Sequence, residues 1–299
     1  MAQNATGASR LQASPPSAGA PDVRRAPNAS PQDHSFLPIL GALLCSLVTQ
    51  PLLIAHRGAS AEAPENTLAA FRRALALGVD GIELDVQVSS DGVPVVFHDA
   101  TLARLTGNRG RLGQCTAGEL RALRVGGEPI PTLAEVLALT QDRAVVQVEI
   151  KRGVPVAPVL QAIWQARASP RVVLASFESS QLAAARLLDP SLPRMLIHRG
   201  GGRWRATPTA RAEALVPVLA ALGAGGVSVD YRRVRSAAFI GTLKRHGFCV
   251  WCWTVNDSPA MLRLAAWGAD AILSDNPALL KLTLAPGCPP MQESPSSKP

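Results

Sequence analysis

From residue 51 onward, short apolar runs alternate with longer stretches in which apolar side chains recur every three or four positions. The runs 53–55, 82–88, 145–150, 172–175, 195–197, 227–229, 248–255 and 271–273 have the length and continuity of strands covered on both faces. The longer stretches predict helices over 66–77, 132–139, 156–167, 179–188, 209–222, 236–246, 258–267 and 277–284. Thr132 and Glu135 have capping-box spacing, with a hydroxyl that accepts from the third amide and a carboxylate that reaches back. A further extended piece, 93–97, follows the second strand. Eight strand–helix units in about 235 residues predict an α/β chain, a (β/α)8 TIM barrel with a short insertion after the second strand. The competing architecture is a doubly wound open sheet, but no Gly-x-Gly-x-x-Gly follows a strand and no Walker sequence is present.

The flanks break this alternation. Residues 1–35 are rich in Ala, Pro, Ser and Asn and read as a disordered tail, as do residues 286–299. Between the first tail and the barrel (51–285) lies the apolar segment 36–50. Its core, 36–48, is too short to span a bilayer, for which about 20 residues are needed, and no small-residue cleavage site follows it. It reads as a packed N-terminal helix, with a membrane contact or secretion role as the alternative.

Composition narrows the classes. The 299 residues are 47% hydrophobic and 17% charged, which excludes a disordered or collagen-like chain. Five cysteines, an odd number at irregular spacing, argue against a disulfide framework and for a reducing, cytoplasmic compartment; membrane association through 36–48 is the alternative location. Cys249 and Cys252 fall within one strand and point to opposite faces, so they read as core residues rather than a redox pair. The formal charge of +8 invites a nucleic-acid reading, but aromatic residues are only 4%, too few for a stacking platform. The excess is also local. Residues 190–245 carry ten basic side chains against Glu213 and Asp230. This is a basic flank that would steer anionic substrates or touch an anionic membrane, not a nucleic-acid footprint. The segment 200–205 within it reads as a mobile basic loop or an anion guide at the site mouth.

In a (β/α)8 barrel the chemistry sits at the C-terminal ends of the strands. Glu83 and Asp85, two apart on the second strand, share one face, and Ile82, Leu84 and Val86 take the other. Glu149 ends the third strand. Three carboxylates aimed inward repel one another and are costly to bury. A hard divalent cation, Mg²⁺ or Ca²⁺, resolves this through oxygen ligation; ion pairs with Arg57 and Lys151 are the alternative. His56 and His98 also fall at strand ends, where an imidazole suits general acid–base chemistry. His198 and His246 have no such company and read as structural. Arg57 and Lys151 beside a metal suit a phosphate-bearing substrate.

The stretches AHRGASAEAPENTLAAF (55–71), GIELDVQVSSDGVPVVFHDATLARLTG (81–107), IPTLAEVL (130–137), VEIK (148–151), LASF (174–177), WTVN (253–256) and SDNP (274–277) occur in order. In them the sequence resembles the glycerophosphodiester phosphodiesterase family, especially its bacterial soluble members. The likeness covers about 51–285. It implies His56 and His98 as the acid–base pair and Glu83, Asp85 and Glu149 as ligands of a divalent cation. It implies Arg57 and Lys151 as phosphate contacts, Trp253 as an aromatic lining the glycerol end of the pocket, and Glu65 and Asn66 as supports of the loop that carries His56. Ser176, Phe177 and Asp275 match as supporting or structural positions. The implied reaction is metal-dependent hydrolysis of a small glycerophosphodiester to sn-glycerol 3-phosphate and an alcohol, by way of a cyclic phosphate. A lysophospholipase D-type activity on membrane lipids and a non-catalytic phosphodiester-binding protein are the alternatives. The sequence departs from the family after the His98-Asp99 motif, where Arg104-Leu105-Thr106 replaces the usual Arg-Thr-Thr.

Overall fold

The computed structural model describes residues 50–199 and 206–285. The tails, the apolar segment up to residue 49 and the loop 200–205 lie outside the described residues. The chain opens with β1 (Leu52–His56), α1 (Leu68–Leu77) and β2 (Gly81–Val88). An insertion follows: β3 (Pro94–Val96), α2 (Ala103–Thr106), α3 (Ala117–Ala122) and the hairpin β4 (Arg124–Val125) and β5 (Glu128–Pro129). After α4 (Leu133–Leu139) the alternation is regular: β6 (Val145–Ile150), α5 (Val156–Gln165), β7 (Val172–Ser176), α6 (Ser179–Leu188), β8 (Arg194–His198) and α7 (Pro208–Leu222). It ends with β9 (Gly226–Asp230), α8 (Ala237–Arg245), β10 (Cys249–Trp253), α9 (Ser258–Ala266), β11 (Ala271–Ser274) and α10 (Pro277–Thr283).

Among the described residues, eight parallel strands run in the order β1-β11-β10-β9-β8-β7-β6-β2, and pairing of β1 with β2 closes the ring. This is the (β/α)8 barrel the alternation predicts. The extended piece 93–97 contributes β3, antiparallel on the far end of β2, with Val86 opposite Val96. The predicted helix at 66–77 begins later, at Leu68. Asn66 takes the left-handed conformation (φ 59°), and the Thr67 side chain caps the helix by accepting from the Ala70 amide. β10 stops at Trp253, two residues short of the apolar run, because its ladder with β9 ends at Trp253 opposite Asp230.

Strand alternation sorts the core into layers. Outward side chains such as Ile82, Leu84, Val86, Val146 and Val148 pack under the helices on one side of the barrel. Val227, Val229, Val250 and Ile272 do the same on the other. Inward side chains fill the barrel's lower half with Ile54, Val145, Val173, Met195, Trp251 and Ala271. Cys249 lies in this inner layer and Cys252 in the outer one, so the two thiols face opposite ways. Towards the C-terminal ends the inward positions turn polar: His56, Glu83, Asp85, Glu149 and Ser228. The insertion has a small core of its own, formed by Leu102, Leu112, Leu120, Val125 and Ile130 against Val95 and Phe97.

One inward position of β9 tolerates no side chain. A Cβ on Gly226 would sit 2.2 Å from the Cys249 carbonyl oxygen and 2.9 Å from its carbon, both backbone atoms of the paired strand. Gly226→Ala forces β9 and β10 apart and is expected to cost about 1–3 kcal/mol as an overpacking change. Thermal unfolding checks this: Tm should fall by several degrees. Gly118→Ala in α3, where a Cβ meets nothing within 4 Å, should hold or raise it.

Candidate active site

The HRG stretch at the end of β1 shapes one wall of the site. Arg57 (φ 57°) and Gly58 (φ 83°) both take the left-handed conformation, which turns the chain sharply off the strand. A side chain on Gly58 would also sit 2.7 Å from the Ala70 Cβ, so α1 packs directly on this turn. The turn aims the Arg57 amide at Glu83 Oε2 (3.0 Å) and lets Arg57 O accept from the Asn66 amide (3.0 Å).

Strand register assembles the carboxylates. Glu83 lies opposite His56, and Asp85 opposite Glu149. Oxygens of Glu83, Asp85 and Glu149 all lie within 4.8 Å of one another, and all three residues are buried. Burial and the neighbouring Asp85 push the Glu83 carboxyl up to about 7. Burial and Asp85 raise Glu149 as well. Burial would also raise Asp85, yet Lys151, Arg57 and the Asn66 amide hold it well below the usual carboxylate range. Lys151 Nζ donates to Glu149 (2.5 Å) and Asp85 (3.1 Å). Asn66 donates to Asp85 Oδ2 (2.8 Å) and accepts from the Asp85 amide (3.2 Å). Arg57 Nη1 donates to Glu65 (2.9 Å), while its Nε lies 3.1 Å from Asp85 Oδ2, an ion-pair distance without hydrogen-bond alignment. Two ammonium or guanidinium charges thus face three buried carboxylates. This all-oxygen, crowded donor set fits a hard divalent cation.

Each histidine has a carboxylate behind it. His56 Nδ1 pairs with Asp275 Oδ1 at 2.7 Å, which leaves Nε2 facing the cleft, 3.9 Å from Glu83 and 3.5 Å from Thr254 Oγ1. Asp275 is itself held by Ser60 Oγ (3.1 Å) and Asn256 Nδ2 (2.6 Å). Burial works against charge on His56, but Glu83 and the Asp275 bond outweigh it and raise its pKa. Asp275 is displaced the other way. Burial opposes its charge, but the His56 bond prevails and holds it at about 2. His98 Nδ1 pairs with Asp99 at 2.6 Å. Burial lowers the His98 pKa, and Lys151 and Arg57 add to this against Asp85.

The two histidines, Arg57, Glu83, Glu149, Lys151 and Trp253 line one cleft at the barrel mouth. Trp253 stacks edge-on against Phe177, with centroids 5.9 Å apart, and the Arg199 guanidinium lies over the other ring at 4.9 Å. Gln147, Ile197 and Ser228 also reach the cleft. Glu65 and Asn66 hold Arg57, the residue after His56, and Asn66 also holds Asp85. Sequence reasoning passed over Gln147, although it lies two residues before Glu149 on the same strand face. It gave no site role to Asp99, Arg104 and Arg199, whose placement depends on loop geometry that spacing does not encode. His246 stands apart, paired with Glu213 at 3.1 Å.

A family model described as the glycerophosphoryl diester phosphodiesterase family matches residues 56–279. A glycerophosphodiester phosphodiesterase of Caldanaerobacter subterraneus is 35% identical over 245 residues, covering 77% of this chain and 96% of that one. An Oleispira antarctica phosphodiesterase, solved in complex with the product sn-glycerol-3-phosphate, superposes with a TM-score of 0.68 at 29% identity, covering 78% of this chain and 96% of the other. The glycerophosphodiester phosphodiesterase of Agrobacterium tumefaciens gives 0.68 at 27% identity, covering 78% and 99%. The matched span runs from the histidine that ends β1 into the last helix, and so takes in every strand from β2 to β11. The chain therefore belongs to the glycerophosphoryl diester phosphodiesterase family of phosphoric diester hydrolases.

Proposed function

We propose that this protein hydrolyses small glycerophosphodiesters to sn-glycerol 3-phosphate and an alcohol, with His56 and His98 as the acid–base pair. The observation that carries this reading is that two carboxylate-backed imidazoles share one cleft with two cations and with Glu83 and Glu149 of the buried acidic cluster. Family membership and the product held by the Oleispira relative supply the substrate class.

Glu83, Asp85 and Glu149 would hold a divalent cation, Mg²⁺ or Ca²⁺, which when bound stabilises charge on phosphoryl oxygen and acidifies a nearby hydroxyl. Arg57 and Lys151, at the edge of that cluster, bind and orient the phosphate. One histidine removes the proton from the glycerol 2-hydroxyl as its oxygen bonds to phosphorus. The other gives a proton to the departing alkoxide as the second phosphorus–oxygen bond breaks. This leaves a cyclic 1,2-phosphate and free alcohol. The histidines then exchange roles: one takes a proton from water, which attacks phosphorus, and the other returns a proton to the 2-oxygen as the ring opens. Asp275 and Asp99 fix the tautomers, so that in each ring Nε2 is the atom that exchanges protons. Trp253 and Phe177 offer an apolar wall to the glycerol end of the substrate.

Among the described residues, no helix is long and apolar enough to cross a membrane. Turnover of glycerophosphocholine, glycerophosphoethanolamine and lysophosphatidylcholine by the full chain tests the reading. The first two should be hydrolysed in preference to the third. His56→Ala and His98→Ala should each lower kcat by about 10²–10⁴. Chelation followed by dialysis should abolish turnover, and Mg²⁺ or Ca²⁺ should restore it. Wild-type rates in both histidine variants, or after chelation, would overturn the assignment.

The Asp275 contact generates a pH prediction. Its carboxylate raises the His56 pKa, so Asp275→Asn should lower that pKa. Whichever limb of the kcat/KM profile reports His56 should move to lower pH, with kcat reduced. A limb that stays in place separates His56 from Asp275 functionally.

A further inference from the structure

Beyond His98, the insertion after β2 turns one more side chain back toward the site. Arg104, on the short helix α2, forks between two carboxylates. Its Nε donates to Asp99 Oδ2 at 2.5 Å, and its Nη1 and Nη2 donate to Glu65 Oε2 and Oε1, both at 2.9 Å. The second oxygen of Asp99 holds His98 Nδ1 at 2.6 Å. Glu65 Oε1 also accepts from Arg57 Nη1 at 2.9 Å. A continuous chain of charge-assisted hydrogen bonds therefore runs His98–Asp99–Arg104–Glu65–Arg57. Beside it, the turn at Gly126 packs so closely on Pro64 that an added Cβ would sit 2.4 Å from the proline ring. The insertion is thus seated against the loop that carries Glu65 at Arg104 and at Gly126, and Arg104 joins that seat to His98 through Asp99.

The geometry suits an arginine and no other side chain. The guanidinium is planar with donors at fixed angles, so three of its N–H groups fix the planes of two carboxylates at once. The Arg104 side chain is 46% exposed, and an ion pair that open to solvent contributes little to folding stability. Its contribution is orientation.

We propose that Arg104 is a positioning residue that sets His98 and Arg57 together: through Asp99 it fixes the imidazole, and through Glu65 it fixes the guanidinium that meets phosphate. This rests on the roles assigned to His98 and Arg57 above. It makes the insertion a working part of the site, although Arg104 itself does not line the cleft.

The two arms of the fork give separable kinetic signatures. Loss of the Asp99 arm misorients the proton-transfer group and lowers kcat; loss of the Glu65 arm loosens phosphate binding and raises KM. In the full chain with glycerophosphocholine, Arg104→Gln should lower kcat roughly tenfold or more and raise KM by a similar factor, within the range for coupled contacts. Asp99→Asn should act mainly on kcat and Glu65→Gln mainly on KM. The Asp99→Asn/Arg104→Gln double variant should have a kcat no lower than the worse single variant, because both changes cut one path. Tm should stay within a few degrees of wild type. Arg104→Lys keeps the charge and loses the fork, so it should show the same two-parameter loss, and it carries the test if the glutamine variant does not fold. Added guanidinium should partly restore Arg104→Ala. Wild-type kcat and KM in Arg104→Gln or Arg104→Lys, or kcat losses that multiply in the double variant, would overturn the proposal. Wild-type turnover is read in the same assay: its absence counts against the proposed activity, whereas its presence beside an indifferent Arg104 variant counts against this inference alone.

Discussion

Three carboxylates buried within 4.8 Å of one another at the barrel mouth are the constraint around which the rest is arranged. Like charges at that spacing, out of water, cannot all ionise without nearby positive charge. Lys151 bridges Glu149 and Asp85, Arg57 donates its amide to Glu83 and lies beside Asp85 through its guanidinium, and Asn66 donates to Asp85 from the side. On the function proposed above, the residues that neutralise the cluster are also those that receive the phosphate, so charge balance and substrate recognition are one problem with one set of side chains. Glu83, displaced to about 7, is where the balance remains least complete, and it lies 3.9 Å from His56 Nε2 on the cleft side of the ring.

The layering of the barrel follows from a period of two. Because β2 reads Gly-Ile-Glu-Leu-Asp-Val, a single alternation supplies both the apolar outer face under the helices and the acidic inner face. The fold and the carboxylate cluster were legible in the sequence for that reason. Strand identity, facing and parallel register together leave Glu83, Asp85 and Glu149 nowhere else to meet. His56 was legible because it ends a barrel strand, where a barrel of this kind keeps its polar groups; His98 follows the antiparallel β3, which runs back along β2 to Asp85.

What was not legible depends on loops. Nothing in spacing alone says that Arg104 doubles back onto Glu65, 39 residues earlier. That Glu65 and Asn66 hold Arg57 and Asp85 follows from the left-handed turns at Arg57 and Asn66, conformations that side chains other than glycine adopt infrequently and that a sequence pattern does not announce. Gln147 is different in kind. It obeys the same alternation as Glu149 and was overlooked because an amide carries less chemical suggestion than an acid. The strand ends show the same division. β10 ends where its ladder partner ends, not where hydrophobicity does.

The hydrogen bond between His56 and Asp275 joins residues 219 positions apart, one on the first strand and one just after the last. These two strands, the first and the last of the barrel, pair side by side along one seam of the ring. An imidazole anchored across that seam has no fixed orientation in any species that lacks the final strand. C-terminally shortened chains would therefore present the acidic cluster without His56 held beside it. On the proposed function, the aligned pair of histidines exists only where the first and last strands have met.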